Sequence, residues 1–182
     1  MTDRDGNPID CAHSARARSI DPKARSCVSD IDMLVELLKD VPEGGRLVKT
    51  GANCPAALLI SCSRPDIKFL SIGDGDSVMD HELQQTIDFQ LDARNYDCRM
   101  GDALEEAKLY QGGPVGLLFL DSNFTVEGIK ARLTAWMPHL KQPSWLLMHD
   151  WVRYPKVQEA VAAFMVAVPD KTSDWSAAWR LE

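Results

Sequence analysis

Residues 115–120 read Val-Gly-Leu-Leu-Phe-Leu, an unbroken apolar run bounded by Pro114 and Asp121. In a strand, alternate side chains point to opposite faces. A run apolar at every position must therefore be covered on both faces, as a central strand of a parallel sheet is. The run is far shorter than the ~20 residues a membrane span needs. It predicts a layered α/β fold.

The rest of the chain supplies the other parts. Leu47-Val48 predicts a short strand ending at Gly51. Ile67–Ile72, Tyr96–Met100 and Ser144–Met148 predict three more. Between them lie helical patterns. Ser29 and Asp32 form a capping pair ahead of Ile31, Leu34, Val35 and Leu38, stopped by Gly44-Gly45. Pro55 opens an apolar helix over Ala56–Ile60. Ser77 and Asp80 cap a helix with Met79, Leu83, Ile87 and Leu91 inside. Asp102 and Glu105 open another, closed by Gly112-Gly113. Thr125 caps one with Val126, Ile129, Leu133 and Trp136 on one face, and Pro155 opens one through Val157, Val161, Phe164 and Met165. Alternating strand and helix predicts βαβ units with right-handed crossovers, hence a doubly wound, mostly parallel, Rossmann-like sheet flanked by helices. Residues 1–28 are polar with no apolar period and predict a flexible arm. Residues 29–182 predict one domain.

Charge narrows the partners. A net charge of −7 disfavours phosphate backbones and anionic lipid, so neither nucleic acid nor membrane is expected as a partner. Five cysteines without a CxxC pair predict reduced thiols rather than zinc ligands or disulfides. With no apolar leader near the first residues, the expected compartment is cytoplasmic.

In such sheets ligands bind outside the carboxyl ends of the strands, near the point where strand order reverses. The strand ends here are Lys49-Thr50-Gly51-Ala52-Asn53, Ile72-Gly73-Asp74-Gly75-Asp76, Gly101-Asp102, Asp121-Ser122-Asn123 and His149-Asp150-Trp151. Asp74 lies 23 residues after Gly51, the spacing of an acid that accepts from a ribose diol; the same Gly-Asp-Gly-Asp is also ordinary turn chemistry. Asp76 is its reserve. Asp102 suits a helix N-cap and also sits on the rim where an adenine would lie. Asp121 and Asp150 end neighbouring strands and supply the oxygen ligands a hard cation such as Mg²⁺ prefers, with Asn123 beside them. The alternative for Asp121 is a plain turn cap. Histidine is the side chain best suited to a general base near neutral pH, which makes His149 a candidate, and the alternative is a hydrogen-bonded structural histidine. Trp136 and Trp145 are expected in the core, and Trp151 at a substrate pocket.

The segment VGLLFLDSNFTVEGIKARLTAWMPHLKQPSWLLMHDW resembles the second half of small class I S-adenosylmethionine-dependent methyltransferases. They share a strand ending in Asp, a helix ending in Trp, a Pro-containing turn and a strand ending in His-Asp. Earlier matches are looser: Gly51 with the cofactor loop, Asp74 with the ribose acid, Gly101-Asp102 with the adenine-side acid. The resemblance implies S-adenosylmethionine as cofactor, held by Gly51, Ala52, Asn53, Asp74, Asp102 and Asp121. It implies methyl transfer to the hydroxyl of a small molecule or sugar, with His149 and Asp121 catalytic and, as in some relatives, a divalent metal on Asp121 and Asp150.

This sequence departs from the family pattern at several positions. Lys49 stands where an acid precedes the cofactor loop, and Pro55 where a second glycine is usual; proline removes an N–H and adds bulk. Ser122-Asn123-Phe124 replaces the usual Gly-Asp-His, Ala131 a helix acid, and Gln142-Pro143 a Gly-Gly pair. The chain ends soon after Trp179, which predicts a sheet without the family's final antiparallel strand and Trp175–Leu181 as an edge. An open edge invites association, so a homodimer is expected. Two other functions fit the same residues: a catalytically degenerate binding or structural domain, and another nucleotide or sugar-nucleotide enzyme on this sheet.

Overall fold

A computed structural model describes residues 28–51, 64, 66–73, 95–121 and 125–182. Its elements are α1 (Val28–Leu38), β1 (Arg46–Gly51), β2 (Lys68–Gly73), β3 (Tyr96–Met100), α2 (Ala103–Leu109), β4 (Val115–Asp121), α3 (Val126–Trp136), a 3₁₀ turn (Met137–His139), β5 (Leu140–Met148), α4 (Pro155–Ala162), β6 (Lys171–Thr172) and β7 (Ala177–Leu181). The strands form one sheet in the order β3-β2-β1-β4-β5-β7-β6. The first five run parallel, and β7 is antiparallel to β5 and β6. The helices predicted over 55–60 and 77–91 lie outside the described residues.

The expected loss of the final antiparallel strand is corrected by β7. Five residues suffice, because Ala177 to Leu181 pair with the inner half of β5, Met148 back to Ser144. Trp179, 1% exposed, anchors the strand in the core. Nor is β7 an edge: β6 covers it, and Trp175 belongs to the turn before it.

The apolar run behaves as its pattern requires, with every residue of β4 buried. Leu117 and Phe119 join Leu47, Phe69, Trp145 and Leu147 beneath Met33, Leu34, Leu37 and Leu38 of α1. Leu118 and Leu120 face the other way, with Val48, Leu70, Leu146 and Met148, under α2, α3 and α4. Gly116 permits the first layer to close. A Cβ there would come within 2.8 Å of the Val41 side chain in the turn after α1. Trp136 and Trp145 are in the core, 0% and 3% exposed. Both capping predictions in the second half hold: Asp102 accepts from Leu104 N–H at 2.7 Å, and Thr125 from Gly128 N–H at 3.1 Å. The last helix ends at Ala162, short of Phe164 and Met165, whose N–H groups still donate to Val161.

Arg64 and Asp66 tie the end of α1 to the start of β2. Arg64 donates to the Leu38 carbonyl at 2.6 Å and to Asp66 at 2.9 and 2.7 Å, while the Gly44 N–H donates to Asp66 at 3.3 Å. The Arg64 hydrogen bonds hold the Asp66 carboxyl at about 2, below its ordinary 3.8, against the opposing effect of burial. A depressed carboxylate stabilises the fold above its unfolded pKa, and that contribution disappears as pH falls through the folded value. Asp66→Asn is therefore expected to cost about 1 kcal/mol at neutral pH. In denaturant titrations the gap to wild type should narrow below pH 3.8 and close near 2; a gap independent of pH would contradict this account.

Candidate functional site

The strand order reverses between β1 and β4, whose outer neighbours are β2 and β5. The register sets Gly51 opposite Asp121 at the carboxyl end of that pair. Gly51 adopts φ +102°, a left-handed conformation that side chains disfavour, so glycine is what lets the chain turn off β1 here. The next strand continues the row: the His149 N–H donates to the Leu120 carbonyl at 3.0 Å, bringing His149 beside Asp121. Asp150 follows at φ +60°, a conformation that Asp tolerates better than most residues.

Around the His149 ring the structure gathers groups from four elements. Nε2 lies 3.9 Å from Asp121 and 3.8 Å from Asp150. Nδ1 lies 3.1 Å from the Ser176 hydroxyl and 3.7 Å from Asp30 on α1. Trp175 stacks on the ring, centroids 5.6 Å apart and planes 16° from parallel, and the Arg153 guanidinium lies over that indole, 3.3 Å from its centroid. Asp30, Asp121, His149, Asp150 and Ser176 are all buried. Carboxylates this withdrawn from water need compensating partners.

Lys49 is also fully buried, one row beneath Gly51. Its Nζ donates to the Gly51 carbonyl at 3.0 Å and to Ser71 of β2 at 3.3 Å. The cation is thus turned onto the backbone at the site's glycine.

The structure therefore brings together Gly51, Asp121, His149 and Asp150 among the predicted residues. Asp102 stands apart, exposed at the start of α2 after β3. Ala52, Asn53, Asp74, Asp76 and Asn123 lie outside the described residues. Trp151 packs edge-on against Trp179 at 4.8 Å, on the layer opposite α1. Among the described residues no group of three or more His, Cys, Asp or Glu is arranged to hold a metal ion. Two carboxylates beside an imidazole nitrogen fall short of the oxygen-rich octahedral shell that Mg²⁺ prefers, so these residues alone do not fit a Mg²⁺ cage. No described helix is long and apolar enough to cross a membrane.

Two participants escaped the sequence reading. Asp30 falls on the stripe Met33, Leu34, Leu37, Leu38, so an acid on an otherwise apolar helix face was the available signal. Ser176 carried none; only the β6–β7 turn brings it to His149.

This sheet order, with a ligand edge at the β1–β4 reversal, defines the class I S-adenosylmethionine-dependent methyltransferase fold. The chain belongs to the Methyltransferase domain family, whose sequence profile matches residues 56–151, just over half of its length. Solved structures agree on the fold at low identity. A Staphylococcus aureus protein, provisionally assigned as a caffeoyl-CoA O-methyltransferase, superposes with a TM-score of 0.74 at 13% identity, over 95% of this chain and 92% of its own. The SAH-bound methyltransferase PaMTH1 of Podospora anserina gives 0.73 at 13%, over 96% and 89%. The O-methyltransferase TomG of Streptomyces achromogenes, in complex with SAM, gives 0.71 at 13%, over 97% and 92%. No curated protein sequence matches.

Proposed function

We propose that this protein is an S-adenosylmethionine-dependent O-methyltransferase acting on the hydroxyl of a small molecule or sugar. The observation that carries the reading is the row Gly51, Asp121, His149 at the strand-order reversal, with Asp150 beside it. Gly51 has no side chain to obstruct a cofactor lying over the end of β1, and Asp121 faces it across the strand pair. Ala52, Asn53, Asp74 and Asp102 complete the cofactor contacts by their positions in the sequence. When bound, S-adenosylmethionine supplies the electrophilic methyl group.

The chain's own residues then have to position the acceptor and take its proton. Separations of 3.8 and 3.9 Å between Nε2 and the two carboxylates exceed a direct hydrogen bond, so neither acid occupies Nε2 and an acceptor hydroxyl can be placed among them. An acceptor hydroxyl seated there donates to Nε2. As the proton transfers, the carboxylates of Asp121 and Asp150 stabilise the imidazolium that forms. Positioning two reactants in line supplies much of the remaining acceleration.

Lys49 favours a second reading, a methyltransferase-like domain that binds a ligand or partner without catalysis. Its cation sits on the Gly51 carbonyl, close to where a cofactor's ammonium group would have to bind. Isothermal titration of S-adenosylhomocysteine separates the two. Binding at micromolar concentration, abolished by Asp74→Ala, is the expected result. Absence of heat at millimolar ligand would favour the second reading.

A further inference from the structure

We propose that the β6–β7 turn, Ser173–Ser176, is the positioning element of this site, and that Ser176 determines which nitrogen of His149 carries the proton. The inference rests on the reading of His149 as the proton acceptor. A histidine can accept at Nε2 only while its proton resides on Nδ1, and the partner of Nδ1 decides that. The Ser176 oxygen lies 3.1 Å from Nδ1. Carboxylates flank both nitrogens, Asp30 at 3.7 Å from Nδ1 and Asp121 and Asp150 at 3.9 and 3.8 Å from Nε2, so the one group within hydrogen-bonding distance of the ring, the Ser176 hydroxyl, is what distinguishes the two sides. In this arrangement Nδ1–H donates to the Ser176 hydroxyl, and Nε2, on the side of Asp121 and Asp150, is left to accept.

The rest of the turn serves the same purpose. Ser173 donates its hydroxyl hydrogen bond to Asp30, fixing the carboxylate. The Ser173 oxygen also accepts from the Ser176 N–H at 2.9 Å, which sets the turn's shape. Trp175 holds the plane of the imidazole by stacking and is itself in contact with the Arg153 guanidinium. Its carbonyl accepts from Val152 N–H at 3.2 Å, tying the turn to the segment just past Asp150. Three of four consecutive residues thus act on His149 or on Asp30 beside it.

The test is nitrogen-15 NMR of the histidine rings at fixed pH, with the His149 signals assigned by their loss in His149→Asn. Wild type should show a protonated Nδ1. Ser176→Ala should lose that signature, and Ser176→Thr, which keeps the hydroxyl, should restore it. Should Ser176→Ala fail to fold, Ser176→Cys gives the same comparison with a much weaker hydrogen-bonding partner. Ring signals identical to wild type in a folded Ala or Cys variant would overturn the proposal, as would loss of the signature in the Thr variant. The same samples titrated with S-adenosylhomocysteine keep the two ideas distinct. Failure to bind counts against the methyltransferase reading and leaves the ring measurement intact.

Discussion

Replacing His149 by asparagine is expected to lower methyl transfer by about 10²–10⁴-fold, the usual contribution of a positioned general base. Asparagine is chosen because its amide reaches the place of Nδ1 and can keep the contact with Ser176, observed at 3.1 Å, while nothing replaces Nε2. The buried acids around it then retain a polar neighbour, so the fold should survive, which a thermal melt checks. Turnover of S-adenosylmethionine with an accepted hydroxyl compound is the readout, alongside S-adenosylhomocysteine affinity. Affinity should stay near wild type, because His149 acts on the acceptor's proton and not on the cofactor. A folded variant with wild-type turnover would show that His149 only balances charge among Asp30, Asp121 and Asp150.

Trp136→Ala should destabilise the domain by about 3–5 kcal/mol, the range for truncating a large buried aromatic. Trp136 is fully buried where α3 meets α2 and the 3₁₀ turn. Its indole N–H donates to the Ala103 carbonyl at 3.0 Å, binding α3 to the first residue of α2. Tyr110 and His139 pack on the ring, with centroids at 5.3 and 5.5 Å. Removing the indole leaves a void that three elements must share, together with a carbonyl that has lost this donor. Trp136→Phe separates the two effects: it keeps most of the volume and should cost about 1–2 kcal/mol, mainly through the hydrogen bond. Urea unfolding followed by circular dichroism measures both. Equal losses in the two variants would show that the hydrogen bond, and not the packing, dominates.

The two variants probe parts of the molecule that differ in how far the sequence revealed them. Trp136 was legible as core because it continues the stripe Val126, Ile129, Leu133 at helical spacing, and periodicity reports burial directly. The central strand was legible for a similar reason: an apolar residue at every position of 115–120 leaves no face for water. Asp121, His149 and Asp150 were legible as strand-end residues, since parallel sheets collect their ligands at that edge.

The final strand is not legible in the sequence, because the few residues after Trp179 do not reveal what they pair with. Pairing with β5 and burial of Trp179 decide whether Ala177–Leu181 forms a strand, and both are tertiary facts. Lys49 shows the same limit. Its charge predicts repulsion of a cofactor ammonium, yet only the fold shows Nζ held by Gly51 and Ser71 beneath the surface of the site.

By itself, the sequence determined the layered α/β class, the parallel central strands, the helix caps at Asp102 and Thr125, and the edge where chemistry would collect. Each of these depends on residues a few positions apart, where periodicity and capping act. The tertiary structure alone decided that Asp30, more than a hundred residues before His149 in the chain, and Ser176, well after it, meet at Nδ1. Such a meeting depends on sheet order, on the register of β5 with β7 and on how α1 lies across them, and no local pattern encodes those.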